Sequence, residues 1–106
     1  MRRTYSGGGV VVNKEGKVLV VSQRGLEWSL PKGHAESKED ILHTAEREIY
    51  EEAGVTKLNF IKELGTYERP KLNSENKDDQ EELKVITIFL FTTTQEKLQS
   101  HDPENP

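Results

Sequence analysis

Leu30–Val55, LPKGHAESKEDILHTAEREIYEEAGV, reads as a loop, one helix and a stop. Pro31 and Gly33 argue for a loop. Ser37 suits an N-cap, and Glu39 and Asp40 would then fall in a first turn that favours acidic side chains. The predicted helix covers Lys38–Ala53, with Gly54 as its C-terminal stop. At about 100° per residue, Leu42, Ala45, Ile49 and Ala53 share a stripe roughly 80° wide, enough to dock the helix on a sheet. Glu48, Glu51 and Glu52 fill a neighbouring sector about 100° wide, beside the core stripe rather than opposite it. Like charges at this spacing repel by a few tenths of a kcal/mol per pair. A solvated acidic face, helped by Arg47 and Glu51 at i,i+4, is the ordinary explanation. Carboxylates gathered this way also suit a hard divalent cation such as Mg²⁺ or Mn²⁺, which would offset the repulsion.

Upstream of the helix, GGVVVN (Gly8–Asn13) and KVLVVSQ (Lys17–Gln23) are valine-rich runs around the turn sequence NKEG. They predict a β-hairpin. Downstream, LNFIKELGTY (Leu58–Tyr67) predicts a strand, and the polar ERPKLNSENKDDQEE (Glu68–Glu82) a mobile loop. LKVITIFLFTTT (Leu83–Thr94) is dense enough for a central strand. The order β-β-α-β-β suggests an α/β domain, a mixed sheet with at least one helix packed on it. HDPENP at the end reads as a loop leading into another element, so a final segment is expected to be missing.

Bulk properties narrow the function. A chain of 106 residues fits one domain, residues 1–106, and its 32% hydrophobic content allows only a thin core. Net charge is −4, which shows no basic footprint for general nucleic-acid binding. An anionic substrate must therefore be held by local Lys and Arg residues or by a bound cation. Cysteine is absent, which removes disulfides, thiolate zinc sites and thiol nucleophiles. The histidines His34, His43 and His101 form no spaced cluster. No apolar run approaches the roughly 20 residues of a membrane helix. A soluble cytoplasmic protein with no membrane partner is the expectation.

Spacing then separates the two readings of the acidic helix. Gly33, five residues, Glu39, seven residues and Arg47-Glu48-Ile49-Tyr50-Glu51-Glu52-Ala53-Gly54-Val55 match all nine fixed positions of GX5EX7REUXEEXGU, where U is aliphatic. With each fixed residue near its average usage, a chance match at one site is about 10⁻⁹. The pattern resembles the Nudix box. The glycine-led first strand, VSQR, WSLPKGH and KVITIFLF sit where Nudix proteins carry similar segments, so the resemblance covers most of the chain.

That resemblance implies a Nudix-like α/β/α sandwich around a mixed β-sheet and hydrolysis of a nucleoside diphosphate linked to another group, with Mg²⁺ or Mn²⁺ required. It implies Glu48, Glu51, Glu52 and the main-chain carbonyl of Lys32 as metal ligands, the Glu48 position serving also as base in some members. Glu39 and Arg47 are then a structural pair between loop and helix. A general base often lies outside the box, with Glu82, Glu81 and Asp79 as candidates. Arg24, Lys32 and Lys84 are the basic residues placed to meet phosphates, and Trp28 either stacks on a base or packs under the loop. WSLPKGH is similar to the segment preceding the helix in diadenosine polyphosphate hydrolases, and resembles that of enzymes acting on oxidised nucleoside triphosphates. Dinucleoside polyphosphates are therefore the first expectation, nucleoside triphosphates the second. Nudix domains usually continue past the HDPENP position with a short strand and a helix, so one sheet face is expected to be partly uncovered and to favour a homodimer. Nudix domains that only bind nucleotide or protein usually lose box carboxylates, and this chain keeps them. A third reading, an acidic helical interaction module, predicts mainly helix.

Overall fold

Strand, not helix, dominates the described residues, which excludes the helical interaction module. The computed structural model describes residues 2–23, 27–72 and 78–95. Its elements are β1 (Arg2–Asn13), β2 (Val21–Gln23), β3 (Glu27–Ser29), β4 (Lys32–His34), α1 (Ile41–Ala53), β5 (Asn59–Leu72) and β6 (Asp78–Thr93). A four-stranded mixed sheet runs in the order β4-β1-β6-β5, with β2 and β3 as a separate pair. β1 lies parallel to β6 from Arg2↔Glu82 to Asn13↔Thr93, and antiparallel to β4 through Ser6↔His34, Gly7↔Gly33 and Gly8↔Lys32. A parallel pair needs a long crossover, and α1 lies within it.

The NKEG turn forms as expected: the Asn13 side-chain Oδ1 accepts from the N–H groups of Glu15 (3.0 Å) and Lys17 (2.9 Å). The hairpin predicted beyond it does not extend. Val12 bridges Val18, and the Leu19 N–H donates to the Val11 carbonyl at 2.9 Å, but Val21–Gln23 pairs with Glu27–Ser29 instead. The reason is edge occupancy. β6 takes one edge of β1 along its whole length and β4 takes the other at Ser6–Gly8, which leaves only the end of β1 for Lys17–Leu19.

Helix α1 begins three residues later than expected, at Ile41, with Asp40 rather than Ser37 at the N-cap. Lys38 adopts φ 65°, a left-handed conformation that a helix cannot continue through. Gly54 caps the C-terminus in the left-handed conformation (φ 73°), its N–H donating to the Tyr50 carbonyl. The expected face is inward: Ala45, Ile49 and Ala53 are buried and Leu42 packs against the same cluster. They meet Val11, Val21, Val55, Phe89 and Phe91. The helix sits almost on the backbone of β1, since a Cβ on Gly7 would stand 2.5 Å from the Ile41 carbonyl oxygen.

The polar stretch expected as a loop is instead the continuation of a long hairpin, β5 running to Leu72 and β6 starting at Asp78. β5 is an edge strand whose residues are exposed from Asn59 through Pro70. Wet on both faces there, it has no need of the apolar alternation that marks a half-buried strand. Phe60 folds back at ring-centroid distances of 6.1 Å from both Phe89 and Phe91. A second helical layer is not present among the described residues, and none of their helices is long and apolar enough to cross a membrane.

Candidate active site

Arg47 organises the approach to the acidic helix. Its Nε donates to Glu39 Oε2 (2.8 Å) and its Nη2 to Glu39 Oε1 (2.9 Å) and to the His34 carbonyl (2.8 Å). Glu39 Oε1 also accepts from the Glu36 N–H and the Thr44 hydroxyl. This is the loop-to-helix pair expected from the sequence, and it explains the late helix start: the Glu39 side chain satisfies the turn instead of joining the first helical turn. Arg47 foremost, then the Glu36 N–H, holds the Glu39 carboxyl well below the usual carboxylate range. A depressed acid stabilises the fold above its unfolded value of 4.5 and loses that contribution as pH falls through the folded value. Thermal melts are therefore expected to fall steeply below about pH 4.5 in the native chain. In Glu39→Gln they should start lower at pH 6 and decline less on acidification; equal slopes in the two proteins would contradict the pairing.

The other side of Arg47 faces the carboxylates. Nη1 lies 3.2 Å from both Glu48 Oε1 and Glu51 Oε1, so one cation already bridges two of the three glutamates. Glu48 lies over the Cα of Gly33, where any Cβ would collide with its carboxylate. Only glycine lets β4 and α1 approach so closely. Burial foremost, then the hydrogen bond and charge of Glu51, pushes the Glu48 carboxyl up to about 7, against the opposing effect of Arg47. Glu52 is buried at 8% exposure on the same helix. The donor set is hard oxygen, the class Mg²⁺ and Mn²⁺ prefer, and the Lys32 carbonyl adjoins Gly33. Among the described residues, however, no three His, Cys, Asp or Glu side chains already converge as a metal cage. The set suits a divalent cation in its chemistry without being preassembled around one.

Gly33 also lines a cleft of about 270 Å³ with Ser6, Ser29, Lys32, His34, Arg69, Lys84 and Ile86. Lys32 and Lys84, two of the expected phosphate contacts, thus share one cleft, which lies on the face of the sheet away from α1, since a Cβ on Gly7 or Gly33 would point at the helix and Ser6, Lys32, Lys84 and Ile86 alternate with those positions. Arg24 lies outside the described residues. Trp28 does not pack under the loop: it is 73% exposed on β3 and does not line the cleft, whereas its neighbour Ser29 does. Glu82 is buried, its Oε1 accepting from Arg2 Nη2. It stands four residues along β6 from Ile86, the partner of Ser6, or roughly 13 Å of strand. Asp79 lies on β6 opposite Lys71, and the side chains of Asp79 and Glu81 lie outside what is described. The sequence reading missed Arg69, which it left in a loop.

A family model described as NUDIX domain matches residues 2–105 of the chain. An RNA pyrophosphohydrolase of Pelagibacter ubique (strain HTCC1062) is 39% identical over 70 residues, 60% of this chain and 44% of that protein. Nudix hydrolase 27, chloroplastic, of Arabidopsis thaliana is 34% identical over 80 residues, 67% of this chain and 35% of that protein. The chain thus spans less than half the length of these curated relatives. Among solved structures, the NUDIX domain of Shewanella oneidensis NrtR complexed with ADP ribose superposes with TM-score 0.73 at 17% identity, covering 100% of this chain and 70% of that one. A C. elegans Ap4A hydrolase binary complex superposes with TM-score 0.68 at 26% identity, covering 93% and 74%. With its box complete, its mixed sheet docked on the acidic helix and its family match running nearly end to end, the chain belongs to the NUDIX domain family.

Proposed function

We propose that the chain hydrolyses phosphoanhydride bonds in nucleoside diphosphate-X compounds, dinucleoside polyphosphates first, with Mg²⁺ or Mn²⁺ as cofactor. The observation that carries this is the backbone of the edge strand at Gly33: Glu48 covers its Cα from the helix side, and a cleft bearing Lys32 and Lys84 reaches the same residue from the other face of the sheet. Glu48, Glu51, Glu52 and the Lys32 carbonyl would hold the cation, which when bound polarises phosphoryl oxygens and neutralises developing charge. Lys32 and Lys84 orient the phosphate chain. Glu48 is better placed than Glu82 to take a proton from attacking water, because it lies among the carboxylates of α1 whereas Glu82 Oε1 is occupied by the Arg2 guanidinium.

The Ap4A hydrolase neighbour supports the dinucleotide reading. The names of the sequence relatives favour a second one, with RNA as the substrate. A product-resolved hydrolysis screen over dinucleoside polyphosphates, nucleoside triphosphates, triphosphate-ended RNA and sugar nucleotides tests both. Fastest turnover of dinucleoside polyphosphate is expected; preference for RNA selects the second reading, and no phosphoanhydride product from any of them refutes the hydrolase.

A further inference from the structure

We propose that Gln95 is a positioning residue for the metal site: its side-chain amide ties the C-terminal end of α1 to the end of β6 and so holds the turn that carries Glu51 and Glu52 in place for a divalent cation. The proposal rests on the metal-dependent reading above and adds to it a residue outside the box. Helix α1 carries its charges the wrong way round. It has no acidic residue in its first turn and no basic residue in its last. Glu48, Glu51 and Glu52 instead crowd the half where the helix dipole is negative. Their mutual repulsion adds to that cost. A helix end also lacks intrahelical partners for its last carbonyls, so this turn is the part of α1 with most reason to open.

What holds it closed comes from two directions. Within the segment, the Gly54 N–H donates to the Tyr50 carbonyl at 2.7 Å and the Val55 side chain is buried in the core. From beyond β6, Gln95 Nε2 donates to the Gly54 carbonyl at 2.7 Å, while Gln95 Oε1 accepts from the Thr56 N–H at 3.0 Å and the Lys57 N–H at 3.4 Å. One carbonyl and two N–H groups call for a side chain that donates and accepts at once, as a carboxamide does and a carboxylate or an ammonium does not. Gln95 is itself fixed, its own N–H donating to the Oγ1 of buried Thr93 at 3.0 Å. Thr93 stands opposite Asn13 in the central β1–β6 pair, so the clasp leads into the middle of the sheet. Arg47 ties the other end of the acidic sector to Glu39 and the His34 carbonyl. The glutamates thus lie between two tethers, one inside the box and one outside it. A cation that needs Glu51 and Glu52 together binds only the closed turn, so whatever favours opening lowers its apparent affinity by the closed fraction.

The test is titration of Mn²⁺ into the whole chain, wild type and Gln95→Met, with the free ion followed by electron paramagnetic resonance. Methionine keeps the length of the side chain and removes the amide. At a temperature where circular dichroism shows both proteins fully folded, Gln95→Met should bind Mn²⁺ about tenfold more weakly, about 1.4 kcal/mol. A merely structural role would lower the melting temperature and leave the affinity of the folded protein unchanged; equal affinities overturn the proposal. Hydrogen exchange in the wild type gives a second reading that does not depend on the variant folding. Saturating Mg²⁺ should slow exchange of the Thr56 and Lys57 amides, which Gln95 holds, along with those of the last helical turn. No change at those two amides overturns the proposal. Saturable Mn²⁺ binding that Gln95→Met does not weaken refutes only the role of Gln95, whereas a wild type that binds no Mn²⁺ refutes the metal reading and this proposal with it.

Discussion

Glu51→Gln is expected to lower kcat on a dinucleoside polyphosphate at least about 10²-fold, about 2.7 kcal/mol of transition-state stabilisation, while α1 stays folded. Gln is nearly isosteric with Glu, has similar helix propensity, and its amide oxygen can still accept from Arg47 Nη1. What it removes is one negative charge from a face where Glu48 and Glu51 already compete for a single guanidinium. Glu52→Gln should behave likewise, with the added relief of neutralising a buried carboxylate. Without metal, both variants should therefore melt at or above the wild-type temperature. More stable and inactive is the signature of a cluster kept for chemistry. Full activity at saturating Mg²⁺ would mean that these glutamates are not the site.

Ile49→Ala carries the largest expected effect on the fold. Ile49 is fully buried in the cluster joining α1 to Val11, Phe89 and Phe91, so its truncation removes apolar burial and leaves a cavity. The loss should be about 2–5 kcal/mol. Against a total stability of about 5–15 kcal/mol for a domain this size, that is enough to shift a urea midpoint far toward zero. A loss below about 0.5 kcal/mol would place Ile49 at the surface and overturn the orientation of the helix.

These two residues also show what the sequence makes legible. Ile49 and Glu51 are two positions apart on one helix, and helical geometry alone separates them into a core stripe and an acidic sector. The resemblance to the Nudix box implies the pairing of Glu39 with Arg47, which appears as a two-pronged contact. The helix start was less legible. Ser37 has the right chemistry for a cap, but Glu39 is drawn back to the Glu36 N–H and Lys38 turns left-handed, so the first turn waits for Asp40. Composition near a helix end does not report which carboxylate the tertiary structure recruits.

The β5–β6 hairpin was least legible, for a different reason. Strand signals in sequence come from half-buried faces, and Glu68, Arg69 and Pro70 lie on an edge with water on both sides. Reading that segment as a loop hid Arg69, because a loop residue has no register. Only the pairing of Arg69 with Lys84 brings it into the cleft. Lys32 was easier to place, since it precedes the box glycine. The split of the predicted hairpin into β1 and a β2–β3 pair is likewise a matter of which strand edges are already occupied, a long-range property that local valine content does not encode.

All of this turns on whether the crowded carboxylates of α1 exist to hold a cation. Titration of Mn²⁺ into wild type and Glu52→Gln, followed by electron paramagnetic resonance of the free ion, addresses that most directly. The account predicts saturable binding by the wild type and clearly weaker binding by the variant, with the helix content of the two proteins equal. The same affinity in both proteins would contradict it.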